Sequence, residues 1–330
     1  MARRQQRKQR RRVTSLPFIP NRGLQIEYAR ALRRLVLPMV REVRREVVAL
    51  YRRYARSVAI DADDRAVALD DLGDALETML DDFHRRYEPE FAERGLELAR
   101  EMVRKQKQNA DSTFADKMQD LLPLGVLIAL GAGMEGETMG VANAERLIAS
   151  GATIPGAAAP AFSPGLAASS FGAQTPEMLE ATKAAVIENV SLIKTIPAKF
   201  LDRVAGVATR AMQAGGDVKR LAEALTHYGE MSLNHATRIA LDQTFKTYTA
   251  INIRKFQNAG VKKFEWIHTG GSIHPREYHL AEAPAGLNHG IFDLNDPPVI
   301  DQRTGEVGYP GQLPYCRCTM AAVVDLDMYD

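Results

Sequence analysis

The sequence predicts an α+β fold: long N-terminal amphipathic helices, then a C-terminal domain of helices plus a small irregular sheet. Three observations carry this. Apolar residues recur in steps of three and four through the first hundred residues. The stretch Gly151–Gln174 is Ala, Gly, Pro and Ser with no charge. The tail from His268 to Cys318 is crowded with Gly, Pro, Asn and Asp around short strand-like runs.

Taken in order, residues 1–22 read as a basic disordered arm. Arg3, Arg4, Arg7, Lys8, Arg10, Arg11 and Arg12 are separated only by Ala and Gln, with no apolar residue to seat them on a core. Residues 23–150 read as a helical domain. Leu32, Val36, Met39, Val43, Val47, Leu50 and Tyr54 form one stripe of a long helix that contains Pro38. A second stripe runs through Leu69, Leu72, Leu76, Met79, Leu80 and Phe83 and is expected to break at Pro89, with a further helix from Phe91 to about Asn109. Residues 151–175 are an Ala/Gly/Pro linker, which has too little apolar bulk to build a core and marks the expected domain boundary.

Residues 176–330 make the second domain. Helices are expected at Pro176–Ile187 and Phe200–Gln213, then one capped by Asp217 to about Tyr228 and one capped by Ser232 to about Gln257. Asn258-Ala259-Gly260 supplies the turn that stops the last of these. Phe264, Trp266 and His268 then alternate as in a strand, and further strands are expected at Gly290–Leu294 and Cys318–Val324.

Hydrophobic residues make up 45% and charged residues 25% of 330, the balance of a globular chain, which excludes a wholly disordered or collagenous protein. Two cysteines cannot support a disulfide framework, and synthesis in a reducing cytosol is expected. The longest uncharged apolar run, Leu121–Met134, is too short and too rich in Gly and Pro to span a bilayer, so no membrane association is expected.

The net charge of +2 conceals an asymmetry. Residues 1–60 hold 17 of the 43 Lys and Arg against three acids, a net +14, and the rest of the chain is −12. That pattern fits an arm for phosphates attached to an ordinary body. Nothing beside the arginines reads bases, so DNA binding would be indifferent to sequence.

Function-bearing residues concentrate between Ala185 and Val324. In order they are Asn189-Val-Ser-Leu-Ile-Lys194, Ala240-Leu-Asp-Gln-Thr244, Glu265-Trp266, Arg276 with His279, and Cys316-Arg317-Cys318. This succession resembles the phage head morphogenesis family typified by the Mu F-like minor head proteins. The sequence departs from the family pattern at Leu241, which stands where Arg is frequent. It departs again at Ser272 and His274, which replace an Asp and the first Arg of the motif that ends at His279.

The resemblance implies a minor structural protein of a tailed-phage virion, made in the host cytoplasm and placed inside the head near the portal vertex. Its implied partners are the portal protein, the major capsid protein and, through the arm, the phage genomic DNA. The structural motif it implies is Trp266, Arg276, His279, Cys316, Arg317 and Cys318.

His274, His279, Cys316 and Cys318 also make a four-donor set for zinc. His-x4-His is acceptable spacing, but Cys-x-Cys is tighter than a usual zinc knuckle. The expectation is therefore two buried thiols and hydrogen-bonded histidines closing the sheet without a cofactor. No nucleophile elbow, HExxH, P-loop or GxGxxG occurs, so no enzymatic activity is expected. His227, His235 and His289 have no convergent partner in sequence and are expected to be surface or satisfied residues.

Overall fold

The computed structural model describes residues 12–57, 65–118, 175–213, 217–270 and 275–325. The fold is α+β, with long helices and a small antiparallel sheet. The linker 151–175, except its last residue, and arm residues 1–11 lie outside the described residues.

Four long helices are present: α1 (Arg22–Ser57), α2 (Arg65–Met118), α3 (Pro176–Gln213) and α4 (Val218–Asn258). A single turn, α5 (Glu277–Leu280), follows the first strand of the C-terminal tail. The strands are β1 (Arg12–Thr14), β2 (Lys263–Ile267), β3 (Ile291–Asp293), β4 (Val299–Asp301), β5 (Glu306–Val307) and β6 (Thr319–Asp325). One sheet has the order β1-β6-β2-β3, all antiparallel, and β4-β5 form a separate pair.

The residues do not divide at the linker. One compact unit, the sheet unit, takes described residues within Met1–Pro20, Gln106–Thr182 and Phe245–Asp330. The other, the helical unit, takes those within Asn21–Lys105 and Lys183–Thr244. Helices α2, α3 and α4 each contribute to both, so the division cuts across the sequential boundary that composition suggested.

In the helical unit the α1 stripe is buried as its period requires, with Leu32, Val36, Met39, Val43 and Val47 fully removed from solvent. Asn21 caps α1 through Oδ1, accepting from Gly23 N at 2.8 Å and Leu24 N at 3.3 Å. Asp217 caps α4 as expected, accepting from Lys219 N at 2.9 Å and Arg220 N at 3.1 Å.

Three expected breaks do not occur. Pro89 lies inside α2 and Pro197 inside α3. A helical proline costs about 3 kcal/mol. Phe83, Tyr87 and Phe91 around the first, and Ile193, Ile196, Phe200 and Leu201 around the second, are all buried. Each such side chain returns about 1.5–3 kcal/mol on burial, so packing wins. Ser232 does not start a helix but is buried within α4, which runs unbroken through Gly229. A Cβ on Gly229 would stand 2.5 Å from Val40 Cγ1, so the glycine permits close approach of α4 to α1.

In the sheet unit β6 is central, and Thr319–Val323 are all buried. β2 shows the alternation read from the sequence: Phe264 and Trp266 are fully buried, and their strand neighbours are not. α4 ends in a Schellman motif, with Val261 N on Phe256 O at 2.9 Å and Gly260 N on Gln257 O at 3.0 Å. Gly260 takes φ of +73°, the reason a glycine sits there.

Residues 12–20, expected to belong to the disordered arm, are ordered into this unit. β1 pairs with β6, Phe18 N donates to Met320 O at 2.9 Å, and Thr319 Oγ1 donates to Phe18 O. Phe18 packs on Phe256 and Phe114 with ring centroids at 4.8 and 5.6 Å. The arginines of residues 1–22 suggest an arm, but the buried ring of Phe18 anchors residues 12–20 to the core.

Candidate metal centre

His279 sits on α5, the two cysteines on the turn that feeds β6, and Trp266 on β2. The α5 turn is started by Arg276, whose extended backbone precedes it and whose Nη2 donates to Pro314 O at 3.3 Å, tying α5 to the cysteine turn. Arg317 points the other way, its guanidinium 4.9 Å from the Phe245 ring, so the cation between the thiols is directed onto an aromatic face. Its carbonyl accepts from Thr269 Oγ1.

The imidazole of His279 is buried and edge-on to Trp266, with ring centroids 5.1 Å apart. His279 Nε2 lies 2.8 Å from Ile300 O. A carbonyl can only accept, so Nε2 carries the proton and Nδ1 presents a lone pair. That lone pair faces Cys316 Sγ at 3.5 Å and Cys318 Sγ at 3.7 Å. The three donor atoms lie within 4.8 Å of one another, and all three residues are buried. They form a group able to bind a metal ion.

The two thiols are free and share their protons unequally. Hydrogen bonding from Cys318, aided by His279, holds Cys316 well below the ordinary thiol range against the opposing effect of burial. Cys318 is pushed up by its bond to Cys316 and by burial. One thiolate beside one thiol is the state this pocket favours. Both sulfurs are buried beside His279 Nδ1.

Of the residues singled out in the sequence, Trp266, Arg276, His279, Cys316, Arg317 and Cys318 are all in the sheet unit. His274 and Ser272 lie outside the described residues. Arg12 is on β1, exposed, in register with Asp325, whereas the other six arm cations lie outside. Sequence reasoning passed over His268, whose Nδ1 is 3.4 Å from Cys318 Sγ. The signal was present: 264, 266 and 268 share one strand face by their period of two. His289, expected to be a surface or satisfied residue, is exposed and pairs with Glu265 Oε1 at 2.7 Å.

The earlier motifs supply buried polar pins in the helical unit. Asn189 accepts from Tyr28 Oη at 3.0 Å and donates through Nδ2 to Ala185 O at 2.7 Å. Gln243 Nε2 donates to Glu188 Oε1 at 3.0 Å, and Thr244 Oγ1 to Ala240 O at 2.7 Å. Asn189, Gln243 and Thr244 are fully or almost fully buried, so their hydrogen bonds fix register as apolar contacts cannot.

No protein-family model matches the chain, and no solved structure matches it. An uncharacterized protein of Haemophilus influenzae is 29% identical over 161 residues, 49% of this chain and 33% of that protein. The chain therefore spans about a third of the length of the curated relative it matches. Among the described residues no helix is long and apolar enough to cross a membrane.

Proposed function

We propose that this chain is a minor structural protein of a tailed-phage head, held at the portal vertex inside the virion, where it assists head assembly and DNA packaging or ejection. One observation carries the reading. The residues whose order resembles the Mu F-like proteins are the chain's buried polar pins and its cysteine–histidine closure: Asn189, Gln243, Thr244, His279, Cys316 and Cys318. A motif set used to hold a scaffold suits a structural role, and the reading assigns no catalytic step. The donors at the closure are those zinc selects, as a staple of the sheet unit.

In this reading the partners are the portal protein through helical surfaces, the major capsid protein beside it, and genomic DNA through the arm. A second reading, a sequence-indifferent DNA-binding protein with no place in the head, draws on α1. The arginine pairs 33–34, 44–45 and 52–53 are exposed along this one rigid helix.

The test is the composition of mature heads measured by native mass spectrometry and cryo-electron microscopy of the portal vertex. A few copies per particle, co-purifying with the portal ring, is the expected outcome. Copies at coat-protein stoichiometry, or none in the particle, would overturn it.

A further inference from the structure

We infer that the sheet unit holds a structural zinc ion on Cys316, Cys318 and His279, with His268 as the fourth donor. This rests on the geometry of these side chains and not on the head-protein reading.

Zinc bonds of about 2.3 Å to sulfur and 2.0–2.1 Å to nitrogen give a tetrahedron whose S···N edges are about 3.5–3.6 Å. The observed edges are 3.5 Å for Cys316–His279, 3.7 Å for Cys318–His279 and 3.4 Å for Cys318–His268. Hydrogen bonding alone accounts for them less well. The Nδ1 lone pair of His279 is single and lies in the ring plane, yet two sulfurs address it. Cys318, with one thiol proton, lies within reach of two imidazole nitrogens. A cation among Cys316 Sγ, Cys318 Sγ and His279 Nδ1 satisfies these three donors at once, and a turn of the His268 ring, already 3.4 Å from Cys318 Sγ, supplies the fourth.

Two further observations point the same way. His279 Nε2 donates to Ile300 O, the outer hydrogen bond that metal-bound histidines make to fix tautomer and ring plane. Among the described residues the fully buried indole N–H of Trp266 has no partner other than the neighbouring Cys318 sulfur, and metal binding would make that sulfur a thiolate and so a better acceptor. His268 is half-buried at the end of β2, and its backbone N donates to Asn288 Oδ1 at 2.9 Å, which anchors the residue while leaving its ring able to turn in. Four protein donors and no open position make the site structural, a staple of β2, α5 and the start of β6.

The experiment uses the full chain, produced with zinc and purified without chelator, measured by elemental analysis and, after exchange, by the absorption of cobalt(II). The expected result is about one zinc per chain and a tetrahedral cobalt spectrum with thiolate-to-metal bands. Cys318→Ser should abolish both. His268→Ala should weaken cobalt binding by about 10-fold or more and alter its visible bands, and His274→Ala should leave affinity and spectrum unchanged.

Wild-type chain that stays metal-free after incubation with zinc would overturn the proposal. So would His268→Ala with a wild-type spectrum, or His274→Ala with the altered one. Should Cys318→Ser fail to fold, chelator competition on the wild-type chain, with Trp266 emission following metal loss, decides the matter. A metal-free wild type would leave the head-protein reading intact, since particle composition is measured separately.

Discussion

The two units reach stability by different means. In the helical unit, long stripes from α1, α2, α3 and α4 interlock in one apolar core that runs from Tyr28 to Ala240. Its buried polar pins, Asn189, Gln243 and Thr244, are hydrogen-bonded, while Gln243 Oε1 and His235 Nε2 find no partner among the described residues. The sheet unit has a smaller core around Phe18, Phe114, Phe256 and Trp266, and sets within it the charged and polar groups Lys255, Asn252, His279 and Thr319. Lys255 Nζ is held by Asp111 Oδ1 at 2.6 Å, with Lys107 on the other oxygen at 2.7 Å, and burial lowers the Lys255 pKa despite that partner. Area burial stabilises the first unit, and directional closure gives the second its single arrangement.

The contrast is broken or sharpened most strongly by one truncation in each core. Phe91→Ala and Trp266→Phe place a cavity in the helical and sheet units respectively, and the former should cost about 3–5 kcal/mol. Trp266 is the chain's one tryptophan, so its emission reports the sheet unit while far-ultraviolet circular dichroism reports mostly helix. Phe91→Ala should shift the urea midpoint seen by circular dichroism more than that seen by Trp266. Equal shifts would show the two cores melting as one cooperative block, and the contrast would lose its energetic meaning.

How much of this was legible in the sequence follows the same divide. The α1 stripe, the Asp217 cap, the Gly260 stop and the Phe264–Trp266 alternation are local patterns, and each is present as read. The break expected at Pro89 and the gap expected between Ile187 and Phe200 are both absent, because local rules are outvoted there by seven buried side chains. The pairing of residues 12–14 with 323–325 spans the whole chain and leaves no periodic trace. The Lys255–Asp111 pair is equally silent, since nothing local marks Lys255 for burial among the three lysines of α4. Of the candidate centre, His279, Cys316 and Cys318 are legible in the motif, and the neighbouring His268 is not, because spacing along the motif does not show what lies across the strand face.

A smaller effect tests where the arm ends. Removing residues 1–11 should leave the thermal midpoint nearly unchanged, because they carry six cations and no apolar anchor, whereas β1 and Phe18 of the sheet unit are retained. It should also flatten the salt dependence of binding to duplex DNA. Six cations at about 0.9 of a counterion each set a log–log slope contribution of at most about −5. Native and scrambled DNA should bind alike in a filter or anisotropy assay. A fall in midpoint from this truncation would extend the sheet unit into the arm, and an unchanged slope would remove the arm from DNA contact.

The smallest effect is a difference in sign between the units as pH changes. In the helical unit Glu42 accepts from Tyr87 Oη and from Arg86 Nη1 at 2.5 Å, and these bonds hold its pKa below the usual carboxylate value of 4.5. Its contribution is therefore complete above that unfolded value and is lost as pH falls through the lower folded one. In the sheet unit His289 pairs with Glu265 and feels Glu282 nearby, and its pKa is raised above 6.5. Its contribution is complete below 6.5 and is lost as pH rises through the higher folded value. Both groups are solvent-screened, so each is worth no more than about 1 kcal/mol. Glu42→Gln should thus narrow the stability gap between neutral and acidic pH, whereas Glu265→Gln should return the His289 titration, followed by NMR, toward its ordinary value and leave the acid limb untouched. If Glu265→Gln left His289 titrating as in the wild type, the ion pair would not be the cause of its raised pKa, and the difference in sign would lose its basis in the sheet unit.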